Sequence, residues 1–200
     1  MLHAIETSLK PEIDDCVGRN FADQVRAALD LEITSAKVRK TYIVEGLEKA
    51  ELERAVTDSV LHDPVLQSAS LYATASDADW IIEVGFRPGV TDNEGRTARD
   101  TLALVLGRPR DFAVYTTTQY HIKSGISLED VKRIATDLLA NELIQRHSIK
   151  SGGEWEASPG FEARAARVTG SASSQVAAIP LSSMNDDELM TLSRVSTWAF

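Results

Sequence analysis

Apolar and polar residues alternate along "LHAIETSL" (2–9) and again along "DWIIEVGF" (79–86). In the second stretch Trp80, Ile82, Val84 and Phe86 interleave with Ile81, Glu83 and Gly85, the two-residue period of a half-buried strand. A loop follows each stretch, and the period then changes. Phe21, Val25, Ala28 and Leu29 fall at i, i+4, i+7 and i+8, as do Ala98, Leu102, Val105 and Leu106, so each set predicts a helix with one face turned to a core. The Thr- and Tyr-rich stretches "ITSAKVRKTYIVEG" (33–46) and "FAVYTTTQYHIKSG" (112–125) predict one bent strand or two short ones, ended by Gly46 and Gly125. Second helices carry Leu52, Ala55, Val56 and Val60 in one case, and Val131, Ile134, Ala135, Leu138 and Leu139 in the other. Ser127 with Glu129 and Asp130 supplies an N-cap and first-turn acids for the latter. Last strands are expected at "VLQSASLY" (65–72) and "LIQRHSIK" (143–150).

The same order of elements thus occurs twice, and the residues repeat with it. At an offset of 77, "KPEIDDCVGRNFADQVRAAL" (10–29) aligns with "RPGVTDNEGRTARDTLALVL" (87–106) with six identities in twenty positions, where composition alone gives about one. Pro11 meets Pro88, Asp15 meets Asp92, Gly18 meets Gly95, Arg19 meets Arg96, Asp23 meets Asp100 and Leu29 meets Leu106. One residue later in register Tyr42 meets Tyr120, and after another shift Arg54, Thr57 and Asp58 meet Arg133, Thr136 and Asp137. We read the chain as a tandem duplication, residues 1–75 and 77–150, of a β-α-β(β)-α-β unit. The expected class is α+β, with mostly antiparallel sheets, helices on the outer face and a pseudo-twofold between the units.

Beyond Ser151, "SGGEWEASPG" is turn-rich and reads as a linker, and "GSASS" repeats the signal, so 151–200 is expected to be linker and the start of a following region. Asn185 with Glu188 looks like a capping pair opening a helix with Leu189, Leu192 and Val195. The apolar "STWAF" that ends the sequence is expected to pack against residues further along, as in a fragment of a longer chain.

Composition narrows the function. A formal charge of -9 over 200 residues opposes attraction to phosphate backbones or anionic lipid, so neither nucleic acid nor membrane is an expected partner. An RNA-binding sheet would set alternating aromatics on a basic face, whereas Tyr42, Tyr115 and Tyr120 lie in an acidic chain. One cysteine, Cys16, allows no internal disulfide, and the start lacks a basic region followed by a long apolar run; the cytoplasm is the natural compartment.

Chemistry-bearing patterns are scarce. There is no GxxxxGKS phosphate loop, no GxGxxG after a strand and no GxSxG elbow. His3, His62, His121 and His147 stand at no metal-ligand spacing from Cys16 or one another, and no metal is expected. Cys16, in the first loop opposite Asn93, reads as a spectator thiol. What remains is the duplicated helix-opening motif: Pro11, Asp15, Gly18 and Arg19, and Pro88, Asp92, Gly95 and Arg96. Its amides and Arg could hold an anion at a helix N-terminus. The local alternative, which we favour, makes Asp15 and Asp92 N-caps, with Gly18 and Gly95 allowing close backbone approach. On that view Asp23 and Asp100, at i+4, offset the misplaced charge of Arg19 and Arg96.

"RPGVTDNEGRTARDTL", "TQYHIKSG" and "IATDLLANELIQRHSIKS" together resemble PurS, the small accessory subunit of phosphoribosylformylglycinamidine synthase. The resemblance covers nearly all of the second repeat. In the first, Lys10, Pro11, Asp15 and Gly18 fit, while "LHDPVLQ" stands in place of the Leu-Leu-Ala-Asn run. Two such units followed by "LSSMNDDELMTLSR" are similar to the N-terminal region of long synthases in which the accessory unit is fused ahead of the catalytic domains.

The resemblance implies a part in purine biosynthesis, in an ATP-dependent C–N ligase that makes formylglycinamidine ribonucleotide from formylglycinamide ribonucleotide, glutamine and ATP. It implies a scaffold whose partners are the synthetase and glutaminase domains, in cis or in trans. ATP and magnesium are expected in those domains, with no cofactor and no catalytic residue in this chain. The alternative is a regulatory module of paired α+β units that binds a small ligand.

Overall fold

The structure, a computed structural model, describes residues 2–167 and 179–196. The first stretch belongs to one compact unit and the second to another. The two alternating segments become β1 (Leu2–Leu9) and β4 (Trp80–Phe86). Each Thr- and Tyr-rich stretch is one long strand, β2 (Ser35–Glu45) and β5 (Ala113–Lys123). The last strands are shorter or shifted relative to expectation, β3 (Gln67–Ser70) and β6 (Gln145–Ser151).

All six strands form one antiparallel sheet in the order β3-β1-β2-β5-β4-β6. The order is palindromic if β1 is exchanged with β4, β2 with β5 and β3 with β6. At its centre β2 and β5 pair along their full length, from Ser35↔Lys123 to Glu45↔Ala113, and Lys40 stands opposite Thr118. With Tyr42 matched to Tyr120, Lys40 and Thr118 are themselves matched positions.

Helices α1 (Cys16–Leu29), α2 (Lys49–Thr57), α3 (Asn93–Leu106) and α4 (Leu128–Arg133) pack on one face; α4 continues as a π-helix over Ile134–Leu139. Both α1 and α3 end on a left-handed residue, Asp30 and Gly107. Their buried faces start one turn earlier than periodicity suggests: Gly18, Phe21 and Val25 in α1, and Gly95, Ala98 and Leu102 in α3. Ala28 and Val105 are exposed.

The core on this face is two clusters, each built from both halves of the chain. Phe21 and Val25 of α1 pack with Ile82 and Val84 of β4, Ile122 of β5 and Val131, Ile134 and Ala135. Ala98 and Leu102 of α3 pack with Ile5 of β1, Val44 of β2 and Leu52 and Ala55 of α2. Each long helix therefore buries its apolar stripe against the second helix of the opposite half. At about 1.5–3 kcal/mol for each fully buried aliphatic or Phe side chain, neither half can be removed without exposing the other's core.

The opposite face is covered as well, which corrects the expectation of helices on one face only. Residues 152–157, read as a linker, form helix α5 (Gly152–Ala157), started by a Ser151–Glu154 capping box. Its Trp155 is 1% exposed, packed with Ala78 and Ile81 and donating Nε1–H to the Thr74 carbonyl at 3.1 Å. A lone Trp among Gly, Ser and Glu was the signal for this docking. In the second unit, a 3₁₀ turn at Leu181–Ser183 precedes α6 (Asp186–Ser196). Asn185 and Glu188 cap α6 reciprocally, each backbone N–H donating to the other's side chain at 3.0 Å. "GSASS" and nearly all of "STWAF" lie outside the described residues.

Candidate functional site

The Pro-x-x-x-Asp-x-x-Gly-Arg motif occurs twice and opens both α1 and α3 with the same cap. Pro11 and Pro88 are exposed, each second in a tight turn closed by Ile13 N–H to Lys10 O at 2.9 Å and by Val90 N–H to Arg87 O at 3.2 Å. Asp15 accepts from Gly18 N–H at 2.7 Å with one oxygen and from Val38 N–H of β2 at 2.7 Å with the other. Asp92 accepts from Gly95 N–H at 2.7 Å and from Thr116 N–H of β5 at 2.6 Å, and the Thr116 hydroxyl adds bonds of 3.1 and 3.0 Å.

Val38 and Thr116 each lie one residue past the end of ladder pairing with β1 and β4, which stops at Ser8↔Arg39 and Gly85↔Thr117. One carboxylate therefore caps a helix and also takes the backbone donor left where the neighbouring strand ends. The glycines are set by closeness rather than by backbone angle. A Cβ on Gly18 would stand 2.1 Å from the Ala36 carbonyl oxygen, and one on Gly95 would stand 2.5 Å from that of Val114.

The arginines diverge. Arg19 pairs with Asp14 and donates to Cys16 Sγ at 3.4 Å, not with Asp23, which pairs with Arg26 at 3.6 Å. Asp14, which aligns with Thr91 in the second motif, is the nearer acid. Arg96 is exposed, and Asp100 bonds Arg99 at 2.9 Å and Arg110 at 3.1 Å. Cys16 and Asn93 are the first residues of α1 and α3 rather than loop residues, and Cys16 is exposed. Between the helix starts, Lys40 Nζ meets Glu94 at 2.7 Å, and the Tyr42 hydroxyl is 3.5 Å from the same carboxylate. Burial, and then the Glu94 charge, push the Tyr42 phenol up to about 12.

The sheet face under α5 holds a polar layer that sequence reasoning missed. Glu6 and Arg39, 33 residues apart, form a buried ion pair at 3.0 Å, and Arg39 also donates to the carbonyls of Thr74 and Ala75. A second chain runs through β4 and β5. The Ser76 hydroxyl meets His121 Nδ1 at 2.8 Å, His121 Nε2 meets Gln119 Oε1 at 3.3 Å, and Gln119 Nε2 donates to Glu83 at 3.0 Å. Burial, then Arg39 and Lys37, push the His121 imidazole down to about 3, so it stands neutral, accepting at Nδ1 and donating at Nε2. Burial pushes the Glu83 carboxyl up, against the opposing bonds from Gln119 and Thr117.

An open cleft of about 730 Å³ lies at one end of the sheet, among residues 75–80, 124–126 and 151–159. Trp80, Asp77, Asp79 and Glu156 line it. Asp79 is engaged with Ser124 N–H at 2.7 Å and Asp77 with Lys123 at 2.9 Å. Among the described residues no group of three or more His, Cys, Asp or Glu is placed to hold a metal ion, and no helix is long and apolar enough to cross a membrane. The chain matches no family model, and no curated protein matches it significantly.

Proposed function

We propose that this chain is a duplicated, PurS-like scaffold segment of phosphoribosylformylglycinamidine synthase, bringing a glutaminase and an ATP-dependent synthetase domain together without doing chemistry itself. The observation that carries this is the palindromic strand order together with the same Asp–Gly device at both helix starts. Fusing two copies of a self-complementary subunit would leave that arrangement: an isologous contact of β2 with β5 about Lys40 and Thr118, and helices packed across it. The motif residues are engaged in holding helices to strands, which fits a structural use of Asp15, Gly18, Asp92 and Gly95. Amide-to-amidine conversion needs a phosphoryl donor held with a metal ion, and glutamine hydrolysis needs an activated nucleophile. Both fall to the partner domains.

The test is reconstitution. Catalytic domains of a long synthase lacking their own N-terminal region are assayed for glutamine-dependent amidine formation, with and without this chain. Restored turnover supports the proposal, and no effect at saturating chain counts against it. The cleft of about 730 Å³ favours a second reading, a ligand-binding regulatory module, which calorimetry with amino acids and nucleotides would detect.

A further inference from the structure

The polar layer beneath residues 160–163 borders a small, partly open cavity of about 30 Å³, lined by Glu6 and Thr41 of one half of the sheet, Glu83 and Gln119 of the other, and Glu162 of the covering segment. Glu6 and Thr41 are cross-strand partners, 4% and 6% exposed. Three donors converge on one oxygen of Glu6: Arg39 Nη1 at 3.0 Å, Thr74 N–H at 3.1 Å and Thr74 Oγ1 at 2.6 Å. The other oxygen, Oε2, has no hydrogen-bond partner among the described residues, and neither has Thr41 Oγ1. A buried carboxylate oxygen and a buried hydroxyl without partners cost about 1–3 kcal/mol each, more for the charged group.

We propose that this cavity is an internal hydration site, holding one or two long-lived water molecules that bridge Glu6 Oε2 and Thr41 Oγ1. The volume suffices, since one water needs about 10–15 Å³ on this measure. The chemistry matches too: water donates to Glu6 Oε2 and accepts from the Thr41 hydroxyl, and its remaining valences face Glu83 and Gln119. A cation is the rival occupant, and the partners of the lining decide against it. Each carboxylate of the lining is already engaged: Glu6 is paired with Arg39 at 3.0 Å, Glu162 with Arg164 at 2.7 Å, and Glu83 accepts from Thr117 at 3.1 Å and Gln119 at 3.0 Å. Because the lining comes from β1, β2, β4, β5 and the 160–163 segment, the water would tie the two halves of the sheet to their cover.

High-resolution crystallography of the full chain, with a rubidium soak, tests the site directly. The expected result is a peak within hydrogen-bond distance of Glu6 Oε2 and Thr41 Oγ1 that carries no rubidium anomalous signal. In solution, water-oxygen magnetic relaxation dispersion should lose a long-lived water in Thr41→Val and keep it in Glu83→Gln. An empty cavity, a rubidium peak in it, or a Thr41→Val dispersion equal to that of the unaltered protein would overturn the proposal.

Discussion

Replacing Gly18 or Gly95 with alanine sets two effects of opposite sign against each other. Both glycines lie inside helices, where alanine is favoured by about 1 kcal/mol on intrinsic propensity. The added Cβ, however, would stand 2.1 Å from the Ala36 carbonyl oxygen in one case, and 2.5 Å from that of Val114 and 2.8 Å from the Asp92 carboxylate in the other. Ordinary contact begins at 3.4 Å, so helix and strand must part by roughly 1 Å. Overpacking of that kind costs about 1–3 kcal/mol. Parting also stretches the Asp15 and Asp92 bonds to Val38 and Thr116, each carboxylate being worth about 0.5–2 kcal/mol as a cap alone. The expected net effect is a loss of about 1–4 kcal/mol for each variant, read as a lower midpoint of urea unfolding followed by tryptophan fluorescence. Gly153→Ala, where a Cβ meets nothing within 4 Å, should change stability by about 1 kcal/mol or less and serves as the control. Gly18→Ala and Gly95→Ala proteins as stable as the parent would refute the close-approach account of the motif.

Asp92→Ala should destabilise by about 1–3 kcal/mol and Asp15→Ala by less in the same unfolding assay, because Asp92 also accepts from the Thr116 hydroxyl, whereas Val38 has none. Trp155→Ala should lose about 3–5 kcal/mol, a magnitude that a solvated linker residue would not show on thermal unfolding. His121 stays neutral down to about pH 3 in the fold, while the unfolded chain takes up its proton near pH 6.5. Its contribution is therefore complete above pH 6.5 and falls by about 1.4 kcal/mol per pH unit between there and pH 3. NMR titration should find the ring unprotonated at pH 5, and a mid-range imidazole pKa would contradict its burial.

The elements with strong periodicity were legible in the sequence, because a strand or helix with one buried face writes that face into its residues. Ile5, Phe21, Val25, Ile82, Val84, Ala98 and Leu102 all belong to such faces and all lie in the core. The Asp-x-x-Gly spacing was legible as a cap, since cap geometry is local. Its bonds to Val38 and Thr116 were not, because they depend on where the neighbouring strand stops pairing. The crossed helix packing was hidden for a similar reason: periodicity says that α1 has an apolar stripe, not which helix meets it. The second covered face was the largest omission. Polar Glu6, Arg39, Gln119 and His121 carry no hydropathy signal of burial, and only the fold brings Glu6 to Arg39 and lays Trp155 over Ile81. In such a layer charge pairing, not hydropathy, permits burial.

The scaffold assignment is tested most directly by association. Titration of this chain into separately prepared glutaminase and synthetase domains of a long synthase, followed by calorimetry and sedimentation, should give saturable binding that brings both into one complex. The same calorimetry with amino acids and nucleotides alone should give none. Small-ligand binding in the cleft, with no association with either domain, would contradict the assignment and leave the regulatory-module reading in its place.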